Sequence, residues 1–463
     1  MRTMKDLFFT IRNRLDGAWL MEETERLWKL ELGQRNRDHR AAARYAESLL
    51  RRCGLQSVER RPLPADGRTT FKDRTQPLAW NISHARLTLV SAPDSFEFGE
   101  AVKKSAAHLA LASAPDSLDD HVLADYARHP FHGVYGAVAA PRGGVEVPLI
   151  FEDELRSGVD GRGAMIMLGP ATRPSGATMR AIRKAGALGF VSDFITDRYI
   201  TPDSLPWING CSEGNHWQVH ADDGPFIGFT VTPRVGDALR EALRQGAVRV
   251  RVESDGRRFA GQLDVVTGLL PGSDQREYWI KAHLYEPLAE DNTAGVVGAA
   301  GLARALLGLF TDGSLPKPRF SLRLVFAQEL YGFAAYEEQR GGMLGDSVLG
   351  ALNFDAQPLL PALPTKAWLA PSGSPSFGDY VMEAVLAECA ELTRIPLQLK
   401  EEGNYFDDQE AADPTVGIPS YWCFCKRPLW HNSAQIPSTK IDPECFRDAL
   451  ALQGVWLATM LGL

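Results

Sequence analysis

Residues 278–310 read YWIKAHLYEPLAEDNTAGVVGAAGLARALLGLF, and this stretch restricts the fold more than any other. Residues 278–282 are short, apolar and aromatic-rich, as a buried strand requires. A polar loop follows, carrying His283, Glu286, Glu290 and Asp291. From Thr293 to Phe310 the residues are mostly small and apolar, a run too long for a strand and suited to a helix packed tightly on a sheet. An imidazole therefore stands at the carboxyl end of a strand, and a carboxylate stands just ahead of a helix. In open α/β sheets that crevice is where ligands bind.

The pattern continues on both sides. Residues 261–270, 318–326, 347–354 and 419–425 read as buried strands, and residues 376–392 and 443–461 as helices. This alternation predicts an α/β fold with a mixed, mostly parallel central sheet flanked by helices. Near the start, residues 38–53 place Ala42, Tyr45, Ala46, Leu49 and Leu50 at helical spacing, with Gly54 as a natural C-cap. Between these parts, residues 161–194 give a strand, a short amphipathic helix and a second strand, and residues 226–252 repeat that order. They predict a smaller mixed α and β body. A chain of 463 residues exceeds what one hydrophobic core serves. The expected division is a helical part at 1–60, an inserted body at 61–261 and a main domain at 262–463.

Composition narrows the function classes. The net charge of −8, from 50 basic and 58 acidic side chains, argues against a nucleic-acid partner. Six cysteines spread through the chain are not a disulfide scaffold. The opening MRTMKDLFFTIRNRLDGAWL carries charges among its apolar positions, unlike a signal peptide, and Arg304 interrupts the longest apolar run. A cytoplasmic protein without a membrane partner is expected, with a homo-oligomer as a possible form.

Polar residues stand at or just beyond the ends of several predicted strands: His283, Asp291, Glu329, Asp355 and His431. Two imidazoles and three carboxylates can hold two divalent ions if one carboxylate bridges them. Nitrogen and oxygen donors without thiolate suit zinc, one or two ions, with manganese or cobalt also possible. Paired metals activate water for attack on a carbonyl.

The order His, Asp-Asn, Glu, Asp, His resembles the co-catalytic zinc exopeptidases of the aminopeptidase Y and leucyl aminopeptidase type, metallopeptidase family twenty-eight. DNTAGVVGAAGLARAL resembles that family's helix start, and WHNSAQIPSTKIDPE its His-containing loop before the last helix. ADPTVGIPS is similar to the loop leading into the last core strand, and the 38–53 helix to the family's opening helix. Residues 161–194 resemble the core of a protease-associated insert domain. PLAWNISHARLTL and LADYARHPF are similar to an aminopeptidase-like branch carrying such an insert. The resemblance implies a zinc-exopeptidase fold and hydrolysis of a peptide or amino-acid amide. It implies Asp291 as the bridging carboxylate, His283 and Asp355 on one metal, and Glu329 and His431 on the other.

The chain departs from that pattern in three places. Tyr285 stands where the family has a carboxylate that orients the first imidazole, and Glu286 is the nearest substitute. Gln328 stands where the family places its general-base Glu. An amide can hold a water but cannot take its proton. Gln435 stands at the expected acidic position after His431. Gln328 and Glu286 are thus the catalytic candidates, and Glu402, Asp407 and Asp408 are further loop carboxylates that could supply a base. The alternative is a catalytically weak or inactive metal-binding or peptide-recognition protein on the same fold.

Tyr405, Asp407 and Trp430 are candidate substrate contacts. Trp422, Trp430 and Tyr405 either pack or line a substrate pocket near His431. Cys211, His216 and His220 have faint zinc-like spacing without an evident fourth ligand, which favours an ordinary loop. Cys423 and Cys425 alternate on a predicted strand and read as core.

Overall fold

The computed structural model describes residues 3–93, 99–109, 121–214, 217–342, 344–361, 365–400, 403, 407–425 and 430–463, with side chains of 106–109, 398–400 and 407–408 left out. An eight-stranded sheet forms the larger body. Its spatial order is Gln56–Ala65, Gly261–Leu270, Ser321–Gln328, Glu277–Leu284, Val348–Asn353, Ser420–Cys425, Thr365–Trp368 and Leu397–Lys400. The four central strands run parallel, the first two join antiparallel, and Thr365–Trp368 is antiparallel to Ser420–Cys425 but parallel to Leu397–Lys400.

The order decides which residues meet at one edge of the sheet. The chain leaves Glu277–Leu284, crosses through helix Thr293–Thr311 and returns on one side as Ser321–Gln328. It then crosses through helix Tyr331–Arg340 and returns on the other side as Val348–Asn353. Strand Glu277–Leu284 is therefore the switch point of the sheet, and the crevice beyond its carboxyl end is open to ligands. Because the four strands are parallel, the residues just after each of them collect at one edge.

Both faces of this sheet are covered at its centre, so Glu277–Leu284 and Ser321–Gln328 are buried almost throughout rather than alternating. Ile280 and Ala282 pack with Val296, Ala300 and Leu306 of the long helix. Trp279 and Val325 pack on the other face with Phe333 and Tyr336. Helix Thr293–Thr311 is long and apolar enough to cross a bilayer by composition, but it is a core helix, mostly buried in the protein. Helices Met4–Arg14 and Gly17–Glu31 and the closing helix Pro443–Met460 complete the same layer; Phe8, Leu20 and Trp456 are fully buried there.

A seven-stranded sheet forms the second body, in the order Ile227–Thr230, Gly189–Ser192, Met165–Met167, Val145–Phe151, Val248–Ser254, Ala85–Ser91 and Val122–Asp125. Met165–Met167 and Gly189–Ser192 are parallel and joined by helix Gly176–Lys184, the β-α-β order read from residues 161–194. Strand Gln56–Ala65 stays on the larger sheet to its end, pairing Ala65 with Gly261. The expected division at residue 61 falls inside that strand. The pattern RRPLPA alternates against the larger sheet, with Leu63 in its core, so the larger body keeps the chain until Ala65.

Candidate metal centre

His283 is the penultimate residue of the central strand and is buried. Glu329 directly follows Ser321–Gln328, and Asp355 lies just past Val348–Asn353. His431 lies in the loop after Ser420–Cys425. Asp291 precedes the long helix, and the peptide joining it to Asn292 is cis. The Asn292 side-chain amide donates to the Phe354 carbonyl at 2.8 Å, fixing the helix start against the strand end that carries Asp355. That approach explains Gly295 in the DNTAG run: a Cβ there would lie 1.9 Å from the Phe354 carbonyl oxygen. The Asp355 carbonyl in turn accepts from the Trp422 indole at 2.7 Å.

The backbone around these residues is unusual. Tyr285, Leu330, Ala356 and His431 hold φ of 80°, 58°, 50° and 53°. Non-glycine residues rarely adopt this region, and they cluster where surrounding structure holds a site in place.

The side chains converge. His283 Nε2 lies 3.2 Å from Asp291 Oδ1 and 3.3 Å from Asp355 Oδ1. His431 Nε2 lies 3.2 Å from Asp291 Oδ2. Asp291 thus turns one oxygen to each imidazole. Ligand atoms of His283, Asp291 and Asp355 lie within 4.8 Å of one another, as do those of Glu286, Asp291 and His431, and of His283, Glu286 and Glu329. Two imidazoles and several carboxylate oxygens without a thiolate are the kinds of donor zinc takes, and an Asp between two imidazoles has the form of a shared ligand. The residues present therefore fit a metal centre.

Glu286 has a larger part than its place as a substitute suggested. It belongs to two of the three groupings, lies 3.7 Å from His431 Nε2, and accepts from the Asn209 amide at 3.3 Å. Glu329 gathers with His283 and Glu286, and lines one cleft with His431. Gln328 is buried beside Glu329 and is not among the residues lining the adjoining cleft.

Sequence reading missed Glu31. This last residue of helix Gly17–Glu31 is buried, and its carboxylate accepts the Tyr285 N–H at 2.8 Å. Burial pushes it up to about 8, against the opposing pulls of the Tyr285 N–H and of His283. The Tyr285 hydroxyl is occupied elsewhere, donating to the Asp264 carbonyl at 2.5 Å. An acid from a distant helix thus stands near the first imidazole where the local position has a phenol. No local pattern could have signalled it.

The second body completes the site. Trp207 donates its backbone N–H to the His431 carbonyl at 2.7 Å, and its ring meets the imidazole edge-on at 4.8 Å. The Trp207 indole donates to Gln34 at 2.6 Å, which ties it back to the opening helices. Trp430 stacks on His431 at 3.8 Å. A cleft of about 410 Å³ opens beside the cluster, lined by Asp291, Glu329, Asp355 and His431 on one side and by Arg173, Trp217, Trp422 and Trp430 among others. Of the candidate substrate contacts, Trp430 lines this cleft. Tyr405 lies outside the described residues, as do Glu402 and His216, and the side chains of Asp407 and Asp408 are likewise not described. Cys211, Cys423 and Cys425 are buried and form no disulfide, with burial pushing the Cys211 and Cys423 thiols up to about 12.

No family model matches the sequence, and no curated protein matches it. Solved structures do match the fold. A peptidase M28 precursor from Shewanella amazonensis SB2B superposes with a TM-score of 0.67 at 15% identity, covering 99% of this chain and 96% of that one. BSAP, a zinc aminopeptidase from Bacillus subtilis, gives a TM-score of 0.62 at 12% identity, over 96% of this chain and 95% of that one. This chain shares the fold of a zinc aminopeptidase. An aminopeptidase from Aneurinibacillus sp. strain AM-1 is also similar, with a TM-score of 0.54 at 15% identity over 97% and 95% of the two chains. The likeness spans both sheets, so the second body belongs to the shared fold.

Proposed function

We propose that the protein is a metal-dependent hydrolase of peptides or amino-acid amides. The observation that carries this reading is Asp291, whose two oxygens each face one imidazole at 3.2 Å. His283 and Asp355 would hold one ion and His431 and Glu329 a second, with Asp291 shared. Zinc fits this donor set best, and manganese or cobalt are the alternatives. Such ions supply Lewis acidity toward a carbonyl oxygen and make water more acidic. We read residues 66–260 as an insert of the protease-associated kind that limits substrate size.

The chain's own residues would handle the protons and the substrate. Glu286, fixed by Asn209, takes the proton from the attacking water and passes it to the leaving amine. Gln328 has the size of the missing Glu but no basic oxygen near neutral pH. Trp422 and Trp430 offer apolar walls to the side chains of the substrate.

Elemental analysis of the purified protein is expected to find up to two zinc-like ions, depleted by His283→Ala or Asp291→Asn. Hydrolysis of a panel of aminoacyl and peptidyl amides is expected alongside. Full metal occupancy in an Asp291→Asn, Glu329→Gln double variant would overturn the ligand assignment. Gln328 favours a second reading, a metal-holding recognition protein without turnover. It is chosen if the metal-loaded protein hydrolyses nothing and Gln328→Glu restores nothing.

A further inference from the structure

Arg173 differs from the carboxylate-paired arginines of the second body. Arg198 and Arg240 pair with Asp193, and Arg234 pairs with Asp203. Among the described residues no carboxylate pairs with the Arg173 guanidinium. It lies over the Trp430 ring, 4.6 Å from the centroid, and Trp430 stacks on His431. It is exposed and lines the same cleft as Asp291, Glu329 and Asp355. Surrounding protein desolvates the guanidinium and lowers its pKa, with no acid to offset the cost. A stacked, oriented guanidinium has its planar fork of donors free for a two-pronged contact with a carboxylate. The three carboxylates of the cleft are those proposed to be neutralised by metal, so they would not compete for it.

Resting on the hydrolase reading above, we infer that the substrate carries a carboxylate and that Arg173 receives it across the cleft from the metal cluster. The class is a short peptide with either a free C-terminal carboxylate or an acidic side chain. A cleft of about 410 Å³ lies in the range of small-ligand sites, about 300–1,000 Å³. This suits a compact acidic peptide rather than an extended chain. Arg173 acts by binding and orienting, and takes no part in proton transfer.

The test is equilibrium binding to the zinc-supplemented full chain, read by calorimetry and by tryptophan fluorescence. The probes are leucyl-leucine with its peptide bond reduced to CH₂–NH, the N-methylamide of that compound, and the reduced leucyl-glutamic acid N-methylamide. None can be cleaved at the reduced bond. At least one acid is expected to bind about tenfold or more tightly than the uncharged N-methylamide, as charge-assisted hydrogen bonds imply. The first acid winning assigns the C-terminal carboxylate, and the leucyl-glutamic analogue winning assigns an acidic side chain. The preference should vanish in Arg173→Met and persist in weakened form in Arg173→Lys, with zinc content unchanged. Equal binding of acids and amide, or a preference that survives Arg173→Met, overturns the inference. Metal content and amide hydrolysis are scored separately. An Arg173-dependent preference without hydrolysis sinks the hydrolase reading alone, and hydrolysis without the preference sinks this inference alone.

Discussion

At the scale of single residues, the question is which side chain handles the proton. Glu286 holds a buried position among both imidazoles, and Gln328 beside Glu329 cannot serve. Glu286→Gln is expected to lower the rate constant for amide hydrolysis by about 10²–10⁴-fold with metal content kept. Loss of metal in that variant would instead make Glu286 a ligand. With Glu286 supplying the base, Gln328→Glu is expected not to raise hydrolysis, and a faster Gln328→Glu variant would show instead that the base belongs at position 328. Much of this cluster was legible, because His283, Glu329 and Asp355 stand at the ends of recognisable apolar runs and Asp291 stands just ahead of a long one. Glu286 was visible only as one of several loop acids, since sequence does not say which way a loop turns. Glu31, Asn209 and Arg173 reach the site from other elements, and nothing near them in the chain marks them.

At the scale of elements, the site depends on how closely the long helix meets the strand end that carries Asp355. Gly295→Ala must push the first turn off the Phe354 carbonyl. The expected cost is about 1–3 kcal/mol, as for other overpacked positions, with weaker metal retention. Thermal unfolding and metal analysis measure the two effects. The central strand is also tied from its other face. Lys281 is fully buried, 2.5 Å from Glu410 and 3.4 Å from Glu337, and its ammonium lies 4.3 Å from the Phe333 ring centroid. Lys281→Met leaves both carboxylates buried without that cation, and should destabilise by about 3–5 kcal/mol in urea unfolding. A change below 1 kcal/mol would mean that Lys72, which reaches Glu337 at 2.5 Å, compensates. The long helix was readable from its small apolar residues. Helix Tyr331–Arg340 was not, because its residues from Tyr331 to Glu337 are all buried, and that removes the amphipathic period.

At the scale of the whole molecule, buried histidines mark the meeting of the two bodies. His39 lies between Tyr285 of the larger body and Tyr135 of the second. His129 and His132 flank Phe131, which packs with Trp207 and Leu288. Burial lowers His39 to about 4, His129 to about 3 and His132 to about 4. The unfolded chain binds these protons near pH 6.5, so it holds more protons than the folded chain between there and about pH 4. Stability is then full above about pH 6.5 and falls as pH drops, by up to about 1.4 kcal/mol per pH unit for each histidine. Urea midpoints at pH 7.5 and 5.0 should differ accordingly, and His39→Phe should reduce the difference. An unchanged midpoint would rule out these groups. The existence of two sheets was legible from the restart of strand patterning at residue 261. The contact between them was not, since it joins residues such as Gln34, Trp207 and His431 that lie far apart in sequence.

The left-handed backbone at His431 has a consequence for how such a protein could be shortened. The Trp207 N–H meets the His431 carbonyl, the Leu205 N–H meets the Ser433 hydroxyl, and the Ser433 N–H returns to the Leu205 carbonyl. The loop that presents the second imidazole is therefore laced to a segment encoded more than two hundred residues earlier. A lineage that deleted the second body would lose the splint of that loop along with the roof of the cleft. The insert is an organ of the centre rather than an accessory, and its loss would have to be matched by a redesigned 431 loop in the same step.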